Sequence, residues 1–168
     1  VFALERATAR LESNPTLKSH LIFKGGLVIL KLIESPRFTR DLDALALDID
    51  QNKVLELAKK ALELDLKDGI WFLDIQTETI PDQGDYGGLR LNCAFQIGKT
   101  LPDLRKIKKL SRLHIDFSMG DEIPKKLIQT VEMQTILYGE PLSWRVYPLE
   151  FIFAEKLQTL FVRGSANS

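Results

Sequence analysis

The sequence contains very little cysteine and histidine, the residues from which disulfide frameworks and most zinc sites are built. Of its 168 residues, one is cysteine and two are histidine. A single cysteine cannot form an internal disulfide, and this usage is typical of a reducing compartment. No Cys/His cluster is present that would suit zinc. We therefore predict a cytoplasmic protein in which Cys93 is buried as a small apolar side chain rather than serving as a nucleophile.

An excess of one charge and long apolar runs are also missing. Lys and Arg number 23 and Asp and Glu number 23, so the formal net charge is zero. The total charge therefore does not indicate binding to nucleic acid or membrane, and any such surface must be a local patch. No apolar run approaches the roughly 18 residues that span a bilayer, so we expect no membrane partner. The dinucleotide-binding Gly-x-Gly-x-x-Gly motif and the Gly-x-Ser-x-Gly elbow of hydrolases are absent as well.

The sequence does contain the balance of a soluble globular domain, with 45% hydrophobic and 27% charged residues. Its most informative stretch runs from position 20 to 47. This stretch predicts a short strand from Leu21 to Phe23, a turn at Gly25 and Gly26, an apolar helix and a second strand opening at position 41. Paired glycines let the backbone turn sharply and approach another group. A helix that begins there presents unpaired N–H groups to an anion such as phosphate.

Two aspartates open the second strand of this stretch. Asp41 and Asp43 are two residues apart, so both point to the same face of an extended strand. Carboxylates crowded on one face repel each other unless a cation lies between them. Mg²⁺ takes oxygen ligands of this kind and retains positions for substrate phosphates. The pattern therefore predicts a divalent metal ion beside a phosphate-binding turn.

These residues resemble the first motif of the AbiEii-type nucleotidyltransferase toxins, within the DNA polymerase β-like nucleotidyltransferase superfamily. The resemblance rests on Lys24-Gly25-Gly26 and on Arg37-Phe38-Thr39-Arg40-Asp41-Leu42-Asp43. It implies an α/β fold with a mixed sheet and packed helices. It also implies a nucleoside triphosphate held by Lys24, Gly25, Gly26 and Arg40, and Mg²⁺ or Mn²⁺ held by Asp41 and Asp43. The sequence departs from the family at Leu27, where Thr or Ser is usual.

A second acidic position lies in Leu113-His114-Ile115-Asp116-Phe117-Ser118. On a strand, Asp116 shares a polar face with His114, which we interpret only as a neighbour. Asp116 resembles the third acidic residue of the superfamily, which would complete the catalytic metal site with Asp41 and Asp43. As a general base it could take the proton of an attacking hydroxyl. The alternative is a strand-end aspartate with a local hydrogen bond.

The remaining chain predicts further elements of the same domain. We expect helices at 2–11, 54–64 and 148–162 and a hairpin of strands at 71–80 and 89–97, whereas 124–137 fits strand or helix. Lys156, in Ala154-Glu155-Lys156-Leu157, resembles the family's Glu-Lys motif, which implies a contact with nucleotide phosphates. The alternative is an exposed helix lysine. The basic residues of 105–112 fit either a solvated loop or a patch that binds RNA.

The resemblance implies a metal-dependent nucleotidyltransferase, the toxin of a toxin–antitoxin or phage-defence pair. The acceptor would be tRNA or another RNA, and the partner a cognate antitoxin. Residues 1–168 would form the nucleotidyltransferase domain without the family's helical C-terminal region. Two alternatives stay open: a non-catalytic module that binds nucleotide or RNA on the same fold, and an interaction domain in which the three aspartates lie far apart.

Overall fold

A computed structural model describes residues 1–33, 39–80, 88–98, 103–120, 123–137 and 141–166, with side chains up to residue 161. Arg37 and Phe38 of the first motif lie outside the described residues. The helices are α1 (Phe2–Ser13), α2 (Pro15–His20), α3 (Gly25–Ile33), α4 (Gln51–Leu62) and α5 (Leu149–Ala166). The strands are β1 (Leu21–Lys24), β2 (Asp41–Ala46), β3 (Ile70–Ile80), β4 (Gly88–Ile97), β5 (Ser111–Met119), β6 (Gln129–Met133) and β7 (Leu142–Val146). Short 3₁₀ helices cover Leu104–Lys109 and Lys125–Leu127.

The strands form one mixed sheet in the order β3-β4-β5-β2-β1-β7-β6. β2 pairs in parallel with β5, and β1 in parallel with β7, while the remaining neighbours are antiparallel. The predicted α/β fold with a mixed sheet is therefore confirmed. The segment that the sequence left open contains a 3₁₀ turn followed by strand β6.

The central strands have one fully buried face. Six alternating side chains of β2, β4 and β5 are 0% exposed: Leu42, Ala44, Leu91, Cys93, Ile115 and Phe117. The predicted burial of Cys93 is confirmed, and this burial raises the pKa of its thiol to about 12. The residues between these six face the opposite side because a strand alternates its side chains. The polar face of the centre therefore carries the candidate site.

Local capping explains where two helices begin. Asp50 precedes α4 and accepts hydrogen bonds from the backbone N–H groups of Asn52 and Lys53, at 2.9 and 3.1 Å. Asn14 caps α2 by accepting from Leu17 at 3.1 Å, with Pro15 in the first helical position. We did not predict α2, because six residues are too few to show a helical period. No helix among the described residues is long and apolar enough to cross a membrane.

A buried charged cluster joins α1 to the start of β3. The Arg10 guanidinium donates to both oxygens of Asp68, at 2.7 and 2.9 Å, and Arg6 donates to the same carboxylate at 2.6 Å. Arg10 also donates to the carbonyls of Leu64 and Ile70. Its guanidinium lies 4.9 Å from the ring centroid of Phe72. We call Arg6, Arg10 and Asp68 the buried cluster.

Candidate active site

The segments predicted to carry the site lie together at one end of the sheet. β1 and β7 end there, whereas β2 and β5 begin there, as the pairs Lys24–Asp43, Phe23–Val146 and Asp41–His114 show. The glycine turn at the start of α3 follows β1 directly, and α5 begins shortly after β7. We call this the site end of the sheet. Strand direction alone therefore brings together residues more than a hundred positions apart in sequence.

A row of charged residues crosses five adjacent strands near the site end. The register pairs Lys24 with Asp43, Asp43 with Asp116, Asp116 with Arg90, and Arg90 with Glu78. We call these five residues the charged row. Side chains at paired positions share a face, with Cβ atoms about 5 Å apart. Asp41 lies two residues from Asp43, on the same face. The sequence predicted this shared face for Asp41 and Asp43 but could not predict which strands flank them.

Asp43 lies in this row between Lys24 and Asp116, against the glycine turn. A Cβ placed on Gly25 would lie 1.9 Å from the Asp43 carboxylate oxygen, and Gly25 has a φ of +75°. Only glycine allows the carboxylate so close to this backbone, in a conformation that other residues rarely adopt. At Gly26, a Cβ would lie 2.9 Å from the Thr39 hydroxyl. Gly25 therefore serves both the turn and the packing of Asp43, whereas Gly26 makes room for Thr39.

The electrostatics of Asp43 are unusual for a carboxylate. Its pKa is raised to about 6, chiefly by burial and to a smaller extent by the charges of Asp116 and Asp41. The positive charges of Lys24 and Lys156 lower the pKa of Asp43, but by less than burial and the other carboxylates raise it. Burial of this carboxylate beside two others disfavours its negative charge, and a cation placed beside it would offset that cost.

Asp116 is held by an arginine that the sequence analysis did not single out. Arg90 donates from Nε and Nη2 to the two carboxylate oxygens, both at 2.7 Å. This fork is the strong geometry of an arginine–carboxylate pair. It raises the pKa of Arg90 above its ordinary value, mainly through the hydrogen bond to Asp116. The alternation of side chains along β4 places Arg90 on the polar face. Its pairing with Asp116 depends on the order of the strands, which the sequence alone does not predict.

Asp41 has its own partner. His114 Nδ1 lies 3.1 Å from Asp41 Oδ1, and the two residues are paired across β2 and β5. The sequence placed His114 on the face of Asp116 but interpreted it only as a neighbour. In the structure it is a hydrogen-bonding partner of the first aspartate, about one third exposed.

The predicted cationic residues take different positions. Lys24 Nζ lies 2.9 Å from Glu155 Oε1 and 5.1 Å from the ring centroid of Tyr147. Lys156 follows on α5, close enough to affect the pKa of Asp43. Arg40 is exposed immediately before β2, and no contact among the described residues links it to the carboxylates. Glu155 and Tyr147 are site neighbours that the sequence analysis did not predict.

The donor chemistry of this face suits a hard divalent cation only in part. Asp41 and Asp43 provide the one or two carboxylates with which Mg²⁺ is commonly bound, with phosphates and water completing its shell. Among the described residues, however, no group of three or more His, Cys, Asp or Glu side chains is arranged to hold one metal ion. Because Arg90 occupies both oxygens of Asp116, the third carboxylate is not directed at such an ion.

Three comparisons place this arrangement among known proteins. The family model described as nucleotidyl transferase AbiEii toxin, type IV toxin–antitoxin system, matches residues 6–168. Two solved structures are similar: JHP933 from Helicobacter pylori, with a TM-score of 0.53 and 20% identity, and a candidate nucleotidyltransferase from H. pylori, with 0.57 and 19%. Each comparison covers 92% of this chain, which spans 53% and 55% of those two proteins, respectively. No curated protein matches significantly.

Proposed function

This chain belongs to the AbiEii family of nucleotidyl transferase toxins, and we propose that it transfers a nucleotidyl group from a nucleoside triphosphate to an acceptor hydroxyl. The observation that supports this most directly is the pairing of Asp43 with Asp116 on adjacent parallel strands, next to Asp41 and the Gly25 turn. Three carboxylates and a backbone that tolerates close approach meet at one end of the sheet. Such a site suits a polyphosphate and a divalent cation.

In this proposal each part of the site has a separate task. Asp41 and Asp43 hold Mg²⁺ or Mn²⁺, which neutralises phosphate charge when it is bound. The first N–H groups of α3, at Gly25 and Gly26, face the triphosphate because they have no partner within the helix. Lys24 and Lys156 add positive charge on the same side. Arg40, exposed before β2, contributes to the same electrostatic attraction of the nucleotide.

The reaction requires one bond to form and one to break at the α-phosphorus. The acceptor oxygen attacks this phosphorus, and the bond to the β-phosphate oxygen breaks, so pyrophosphate leaves. Asp116 takes the proton of the attacking hydroxyl as a general base. Lys24 and Lys156 hold the negative charge of the leaving pyrophosphate.

We propose RNA, including tRNA, as the acceptor because a basic segment lies at the site end. The connection from β4 to β5 forms the 3₁₀ helix Leu104–Lys109, which contains Arg105, Lys106, Lys108 and Lys109. These side chains are mostly exposed. Ser111, the first residue of β5, is five residues before Asp116, or about 17 Å along a strand. A backbone phosphate bound here would lie within a few nucleotides of the reacting hydroxyl.

The family also supports a biological setting for the reaction. We propose that the protein is the toxin of a toxin–antitoxin pair and that a cognate antitoxin is its partner. A toxin that modifies RNA ends would act in the cytoplasm, where we place it.

The test is a transfer assay with each labelled nucleoside triphosphate, Mg²⁺ and total RNA. We expect labelled RNA and released pyrophosphate from the native protein. Asp43→Asn should lower the rate by at least about a thousandfold, or roughly 4 kcal/mol in the barrier. Asp74→Asn removes a carboxylate paired with Arg112 on the same sheet and should leave the rate unchanged. Labelling that persists in Asp41→Ala and Asp43→Ala proteins would refute the assignment.

A non-catalytic nucleotide-binding module is the second candidate, favoured by two observations. Both oxygens of Asp116 are already bound by Arg90, and Leu27 replaces the hydroxyl residue usual in the family. Calorimetry with nucleotide, with and without Mg²⁺, separates the two candidates when it is run beside a pyrophosphate assay. A binding module would take up nucleotide and release no pyrophosphate.

A further inference from the structure

The Arg90–Asp116 pair conflicts with the task that the proposed function gives to Asp116. A carboxylate that accepts a forked guanidinium has its negative charge compensated, which weakens it both as a base and as a metal ligand. Arg90 and Asp116 are partly exposed, at 32% and 19% of their side-chain surface. The pair is therefore not locked into the core, and it can exchange partners.

The charged row shows that Arg90 would compete with a bound cation for the Asp116 carboxylate. Asp116 is flanked by Asp43 on one side and by Arg90 on the other. A cation bound at Asp41 and Asp43 would reach Asp116 across one strand spacing, about 4.8 Å. The guanidinium holds the carboxylate from the opposite strand. A cation at Asp41 and Asp43 and the Arg90 guanidinium would thus attract the Asp116 carboxylate from opposite sides.

We propose that Arg90 is a positioning residue that holds Asp116 away from the metal site until a triphosphate is bound. The inference rests on the proposed function, since it assumes that Asp41 and Asp43 bind a divalent cation. In the nucleotide-free protein, Asp41 and Asp43 bind one ion and Arg90 keeps Asp116. The triphosphate then supplies oxygens for the guanidinium, which releases Asp116 to a second ion. Arg90 thereby couples completion of the site to the arrival of substrate.

The test measures Mn²⁺ binding by the loss of the free-ion signal in electron paramagnetic resonance, without any turnover. The native protein should bind one Mn²⁺ alone and two when a non-hydrolysable nucleoside triphosphate is added. Arg90→Gln should bind a second Mn²⁺ without nucleotide, about tenfold more tightly than the native protein does, since a positive charge has been removed next to the ion.

Two further variants test whether the tighter binding of the second Mn²⁺ depends on the Asp116 carboxylate. Adding Asp116→Asn to Arg90→Gln should abolish the second ion. Arg112→Gln is the matched control, because Arg112 binds Asp74 and Asn92 on the same sheet but not Asp116. It should bind Mn²⁺ like the native protein. If Arg90→Gln does not fold, Arg90→Lys, which retains charge but loses the fork, should show a smaller gain in the same direction.

The inference is overturned if these Arg90 variants bind Mn²⁺ with native stoichiometry and affinity, or if the gain survives removal of the Asp116 carboxylate. Failure of the proposed function looks different. In that case the native protein would bind no Mn²⁺ at Asp41 and Asp43 and would transfer no nucleotide. Native transfer activity together with unchanged binding in Arg90→Gln would refute only the role of Arg90.

Discussion

The protein contains two groups of charged side chains that differ in how fully their charges are matched. In the buried cluster, one carboxylate faces two guanidinium groups, and Arg10 and Asp68 are 1% and 4% exposed. In the charged row and its neighbour Asp41, four carboxylates face one arginine and one lysine, and the pKa of Asp43 rises to about 6. The carboxylate of the first group is bonded to two arginines within the fold, whereas the second group carries a negative excess that suits an external cation.

The pKa values of the two aspartates show this difference directly. Burial alone would raise the pKa of Asp68, but hydrogen bonds from Arg10 and Arg6 outweigh it and lower that pKa below its usual range. The pKa of Asp43 rises because burial disfavours its charge and the neighbouring carboxylates of Asp116 and Asp41 add to this effect. Ionised Asp68 therefore stabilises the fold, whereas ionised Asp43 destabilises it.

The largest stability effect should come from breaking the buried cluster. Asp68→Asn leaves Arg10 buried without its counter-charge, and we expect the free energy of unfolding to fall by about 3 kcal/mol. Urea denaturation measures this change, and nucleotidyl transfer by the folded fraction should remain native. The control is Glu56→Gln, an exposed residue paired with Lys53 and Lys60, which should not alter stability measurably. An equal fall in the free energy of unfolding in both variants would show that the buried cluster is no more important to stability than an exposed ion pair.

A smaller effect should follow from the titration of Asp43. Its pKa is about 6 in the folded protein, against an ordinary value of 3.8 for an aspartate in water. Between these pH values the folded state retains a proton that the unfolded state loses. Stability should therefore fall as the pH rises from about 4 to about 7, by roughly 2 kcal/mol relative to Asp43→Asn. Urea denaturation across this range measures the difference between the two proteins.

The same experiment with added Mg²⁺ tests whether a cation offsets the destabilising charge of Asp43. At pH 7 the ion should restore part of the lost stability in the native protein and not in Asp43→Asn, because binding to the folded state alone stabilises it. A native protein whose stability relative to Asp43→Asn is constant between pH 4 and 7 would show that the carboxylate is not destabilised in the fold.

The smallest stability effect should come from Gly69, which has the same backbone conformation as Gly25. Gly25 and Gly69 have φ values of +75° and +72°, but a Cβ on Gly69 would meet only the Gly98 carbonyl, at 3.9 Å. Alanine at Gly69 should cost about 1 kcal/mol of stability and leave transfer intact. Alanine at Gly25 carries the same backbone cost and also displaces Asp43, so transfer should be lost. Thermal unfolding and the transfer assay, run on both variants, measure the difference.

Sequence analysis could predict the parts of the site that are local in the chain. The spacing of Asp41 and Asp43, the glycine turn and the α/β class all follow from short-range patterns. The pairing of Asp116 with Arg90 depends on the order β4-β5-β2-β1, which is set by long-range packing. The contact of Lys24 with Glu155 joins residues 131 positions apart and was inaccessible for the same reason.

The parallel pairing of β2 with β5 also determines when the candidate site can form during synthesis. Asp43 meets Asp116 only after the ribosome has added more than seventy intervening residues, and Lys156 follows forty residues later. Non-local strand pairs of this kind form late because a long loop must close first. A nascent chain therefore cannot bring Asp43 and Asp116 together before the segment that carries Asp116 has been translated.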